Sequence, residues 1–116
     1  MDIELVKQKL RTFAEARDWD HFHSPKNLAS AISVEAAELL EIFQWLTEEG
    51  SRTLNAETKD KVEQEVADVF LYLLRLADKL DIDIIAAAGR KIAINEEKYP
   101  VALAKGNAKK YTEFKD

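Results

Sequence analysis

No cysteine occurs in the 116 residues, so disulfides and thiolate-held metals are both excluded and the redox compartment stays open. Glycine and proline are nearly as scarce, with three and two copies. Tight reversals rely on those residues, so a sandwich or barrel is disfavoured and long helices are expected. No apolar run approaches the roughly 20 residues that span a bilayer, and no signal-peptide pattern opens the chain. The expectation is an intracellular, cytoplasmic protein. A net charge of −5 leaves no general excess of basic residues for phosphate backbones, so neither polymeric nucleic acid nor a membrane is expected as partner. What is present is 47% hydrophobic and 34% charged residues, the balance of one globular domain with a modest core.

Apolar periodicity and capping residues divide the chain into four predicted helices. The first runs from near Asp2, its cap, to Arg17, with Ile3, Val6, Leu10, Phe13 and Ala14 as its stripe. An aromatic-rich connection, Asp18 to Ser24, follows. Ser24 and Pro25 read as cap and first helical position of a second helix reaching about Glu49, with Gly50 as its stop. Thr53 or Asn55 would cap a third helix over Ala56 to Leu80, and Asp81 or Asp83 a fourth ending near Tyr99, before Pro100. Residues 101–116 form a basic tail without clear period. No internal boundary or repeat is visible, so residues 1–116 read as a single all-α domain.

Two helices carry the same anomaly. Ile32, Leu39, Ile42, Phe43 and Leu46 form one arc of the second helix, and Glu35 falls inside it, with Glu38 one turn on. In the third, Val62, Val69, Leu73, Leu76 and Leu80 form an arc that contains Glu65, followed by Asp68. A lone Glu-x-x-Glu is ordinarily a solvated helix face. Two such pairs, each set into an apolar arc, are better explained by a shared cation, because buried carboxylates are costly unless paired or metal-bound. All-oxygen ligation suits Mg²⁺ or Mn²⁺. Neither pair has His at the third position, which argues against a di-iron carboxylate bundle. Glu41 continues the acidic line as another ligand, a supporting group or a base.

Aromatic side chains at Trp19, Phe22 and Trp45, with His23, could stack on and hydrogen-bond a nucleobase, or simply pack. Trp45 follows Glu38 on nearly the same helix line, and Tyr72 lies on the carboxylate side of the third helix. Lys91, Asn95 and Lys98 on the fourth helix could face phosphates, although taken alone they read as a solvated face; Lys105, Lys109 and Lys110 could clamp a polyphosphate or simply be exposed.

Glu35-x-x-Glu38 and Glu65-x-x-Asp68, separated by Leu39 to Gln64, resemble the acidic signature of MazG-like nucleoside triphosphate pyrophosphohydrolases. Arg17-Asp18-Trp19, Phe22-His23-x-Pro25-Lys26-Asn27-Leu28, Glu41-x-Phe43-Gln44-Trp45, Ile94-Asn95, Tyr99-Pro100 and Lys110-Tyr111-Thr112 are similar to the dCTP pyrophosphatase branch, over nearly the whole chain. The resemblance implies a four-helix, Mg²⁺-dependent enzyme converting dCTP, or a modified dCTP, to the monophosphate and diphosphate. It implies Glu35, Glu38, Glu65 and Asp68 as metal ligands; from the charge distribution, Glu38 or Glu41 could take the proton of an attacking water. Trp19, Phe22, His23, Trp45 and Tyr72 would line the nucleoside pocket, with Lys91 and Asn95 toward phosphates. It further implies a helical-bundle dimer or tetramer whose pockets are completed between subunits. One departure is Leu10, near where animal members carry a base-facing His, which loosens the implied cytosine selectivity. Two competing readings are the same fold acting on dUTP, another noncanonical triphosphate or phosphoribosyl-ATP, and a non-catalytic helical interaction module.

Overall fold

The computed structural model describes residues 1–114. Among these, all regular structure is helical, and no helix is long and apolar enough to cross a membrane. The chain falls into two compact units, Met1–Ile82 and the residues from Asp83 onward, although its composition gives no hint of a boundary there. The first unit holds α1 (Ile3–Ala16), α2 (Pro25–Phe43), a short α3 (Glu48–Arg52) and α4 (Ala56–Lys79). Its main seam is the packing of α2 along α4, with α1 laid against α4 as well. Leu28 from α2 and Leu74 from α4 are its fully buried large side chains.

Side-chain caps set the helix starts. Asp2, Ser24 and Asn55 each accept from the backbone N–H three residues on, at 2.8, 3.1 and 2.8 Å, and satisfy a donor the helix cannot pair internally. The predicted second helix is too long. α2 stops at Phe43, and Thr47 caps the new helix α3 by accepting from Gly50 N–H at 2.9 Å. Strong helix formers on both sides of that break hide it from a propensity reading. The expected stop, Gly50, instead sits inside α3.

α1 and α4 end alike. Asp18 and Asp81 take left-handed backbone angles, φ 53° and 55°. The next residue's N–H then reaches back to close the helix, Trp19 to the Ala14 carbonyl at 2.9 Å and Ile82 to that of Ala77 at 2.8 Å. This ending satisfies exposed carbonyls and brings the following side chain onto the last turn. Trp19 accordingly meets Phe13 edge-to-face, ring centres 5.7 Å apart.

The second unit comprises α5 (Ile84–Lys98) and α6 (Val101–Ala104). Asp83, rather than Asp81, is the α5 cap, accepting from Ala86 N–H at 3.0 Å. The tail read as aperiodic holds a small cluster, in which Tyr99 packs edge-to-face on Tyr111 and Phe114.

Candidate active site

The α2–α4 seam brings three of the four predicted acids together. Glu35, Glu38 and Glu65 each offer a carboxylate oxygen within 4.8 Å of the other two. One oxygen of Glu35 and one of Glu65 are buried without any hydrogen-bond partner. An anion so placed lacks both water and a donor, and that is costly unless a cation satisfies it. Burial, followed by hydrogen bonding to Glu65 and Glu38 and by the charges of Glu38 and Asp68, pushes the Glu35 pKa up to about 7. The oxygen-only donor set and the two orphaned atoms fit a hard divalent ion.

This arrangement fixes the pH behaviour of the metal-free protein. Glu35 holds its proton more tightly folded than unfolded, where its ordinary value is 4.5. Folding therefore gains stability as pH falls through 7, the gain is complete below about 4.5, and it is lost as pH rises. Thermal melting in chelator should show a higher midpoint at pH 5.5 than at pH 8. The window lies above the ordinary range of Asp20 and Asp78, whose pKa values are lowered chiefly by hydrogen bonds from Lys79 and Arg11. His23, its pKa lowered by burial and by the charges of Arg75 and Lys79, pulls the other way across this window. The Glu35 part is therefore read against Glu35→Gln, and an unchanged trend in that variant would mean that the seam does not hold protonated Glu35.

Asp68, one turn beyond Glu65, stands outside the trio and lines a cavity of about 510 Å³. Trp19, His23, Tyr72 and Leu10 line the same cavity. The sequence therefore located one side of a pocket that runs from an acid to aromatic rings. It missed Phe13 and Lys9 of α1 and Arg75 of α4. Phe13 read as ordinary core. Arg75 was within reach, because the three-and-four spacing from Glu65 through Asp68 and Tyr72 continues to Arg75 and Lys79.

Phe22 and Trp45 do not line this cavity. Phe22 is exposed and leans on His21, ring centres 4.0 Å apart. Trp45 lies past the end of α2, so the helix line drawn from Glu38 does not reach it, and it is 88% exposed. Glu41 is exposed, outside the trio, and shares a shallow depression with Glu38, Glu65 and the unanticipated Lys61. In the second unit, Lys91 and Asn95 are exposed one turn apart on α5. Lys98 places its ammonium 4.6 Å from the Tyr111 ring centre, while Lys105, Lys109 and Lys110 are exposed.

Residues 30–114, nearly all of α2 onward, match the sequence profile of the MazG-like family. The chain belongs to that family. Among its MazG-like relatives, dCTP pyrophosphatase 1 of Homo sapiens is 37% identical over 114 residues, covering 97% of this chain and 67% of that protein. The Bos taurus protein of the same name is 35% identical, with 68% of its length covered. The crystal structure of a pyrophosphatase from Archaeoglobus fulgidus superposes with a TM-score of 0.71 at 46% identity, over 84% of this chain and 91% of that one.

Proposed function

We propose that this MazG-like chain is a nucleoside triphosphate pyrophosphohydrolase that converts dCTP, or a modified dCTP, to the monophosphate and diphosphate. The observation that carries the reading is Asp68, which stands one turn from the three-acid cluster and also lines the aromatic cavity. A carboxylate that could help hold a cation for a polyphosphate and a stacking surface for a base would thus meet at one residue. The relatives' dCTP pyrophosphatase names support the substrate class.

Glu35, Glu38, Glu65 and Asp68 would hold Mg²⁺, with Mn²⁺ as a substitute. When bound, the ion would neutralise these carboxylates and polarise a phosphate oxygen. Trp19 and Tyr72 would grip the base and leave the phosphates directed toward the acids. Glu38 or Glu41, the latter exposed and free of the trio, would take the proton of an attacking water. Lys61 beside Glu41 could meet the phosphate charge. A cytoplasmic location fits a free nucleotide substrate.

Product analysis on a panel of nucleoside triphosphates with Mg²⁺ tests the reading. Diphosphate and monophosphate should appear, fastest from a cytosine nucleotide. Faster cleavage of another base would move the substrate and keep the chemistry. No diphosphate from any member would leave an interaction module.

Assembly belongs to the same proposal. Val34 and Leu40 on α2 and Val66, Phe70 and Leu73 on α4 are exposed large apolar residues, more than isolated surface side chains explain. A second copy would cover them, and in a dimer or tetramer Trp45 and Phe22 would be free to complete a neighbour's pocket. Light scattering at micromolar concentration should find no stable monomer; a folded monomer would refute the assembly.

A further inference from the structure

Arg75 is the one buried charged side chain among the described residues, 5% exposed, and the scheme above leaves it unused. A guanidinium taken out of water must be closely paired. One terminal nitrogen donates to Asp20 Oδ1 at 2.6 Å, and the other lies 3.7 Å from Asp78 Oδ2. Lys79 donates to the same Asp20 oxygen, so Asp20 is fixed from two sides. The remaining donor, Nε–H, points at Nδ1 of His23 at 3.3 Å.

That last contact fixes more than position. A guanidinium has no acceptor and does not release its proton at any pH where the protein is folded. The His23 nitrogen facing it must therefore offer a lone pair. A neutral imidazole with bare Nδ1 carries its proton on Nε2. Burial, then the charges of Arg75 and Lys79, hold the His23 pKa below its usual range against the opposing pull of Asp20. His23 lines the cavity, and no described residue accepts from its Nε2.

We propose that Arg75 is a positioning residue that locks His23 in the Nε2–H tautomer, so that His23 meets the cavity's ligand as an obligate hydrogen-bond donor. It would select an acceptor on the base, a ring nitrogen or carbonyl oxygen, over an amino group at the same place. The identity of that acceptor rests on the nucleotide reading above; the lock does not. Lysine could keep the charge pairing with Asp20, but its rotating ammonium lacks the planar fork that serves Asp20 and His23 together.

Long-range ¹H–¹⁵N spectra of the imidazoles test the lock in the full chain. Only two histidines occur, so His21→Gln leaves a single ring to assign. At pH 7.5 His23 should show a bare Nδ1 and a protonated Nε2. Arg75→Lys should mix the tautomers and weaken dCMP binding about tenfold, with binding of diphosphate and Mg²⁺ unchanged, and thermal melting confirms that the variant is folded. A protonated Nδ1 or a charged His23 ring in the His21→Gln chain, with Arg75 intact, overturns the proposal without recourse to any variant of Arg75. So does a folded Arg75→Lys chain with full dCMP affinity. The expected tautomer in a chain that binds no dCMP and cleaves no triphosphate would instead overturn the nucleotide reading, and the base acceptor with it.

Discussion

Glu65→Gln is expected to lower turnover by roughly three orders of magnitude, about 4 kcal/mol of transition-state stabilisation, while making the metal-free chain harder to melt. The two effects have one cause. Glu65 lies in the α2–α4 seam with an orphaned buried oxygen, and its carboxylate stands within 4.8 Å of those of Glu35 and Glu38. An amide of the same size removes a metal-binding charge and a source of repulsion in one step. Melting in chelator and turnover at saturating Mg²⁺ measure the pair. Near-normal turnover would mean that Glu65 is not an essential ligand. Lost turnover with a lower metal-free melting point would mean that the carboxylate is structural.

Trp19→Ala should raise the Michaelis constant for dCTP by roughly ten- to a hundredfold, since stacking on one aromatic face contributes roughly 1–3 kcal/mol per base. Trp19 is held from two sides, with Phe13 edge-on at 5.7 Å and His23 at 6.5 Å. Arg17 in turn covers the Phe13 ring at 3.6 Å. Such a supported ring offers a rigid wall with little ordering left to do on binding. Diphosphate, which has no base, should bind as before. A folded variant with an unchanged Michaelis constant would place the base elsewhere.

The parts of this molecule visible in its sequence are those governed by neighbours along the chain. Asp2, Ser24, Asn55 and Asp83 cap helices where their residue types suggest. The acids stood out because charge at i and i+3 within an apolar arc contradicts its surroundings. The break after Phe43 was hidden, since Leu46, Glu48 and Glu49 favour helix and a single hydroxyl at Thr47 starts the new one. The line drawn from Glu38 to Trp45 fails for the same reason, since α2 ends at Phe43. Arg75 was missed for a different reason. Its partners Asp20 and His23 lie more than fifty residues away, and only the docking of the aromatic turn on α4 makes them neighbours.

The acids occupy the seam that holds the first unit together. Closing the connection Gln44–Asn55, so that α4 docks on α2, builds the fold and the acidic centre in a single act. Until a cation arrives, each docking attempt must press like charges together while the leucines beside them draw the helices in. Local choices that disagree with the global fold in this way roughen a folding landscape. In this chain the capacity for chemistry and the speed of folding are set against each other at the same contact.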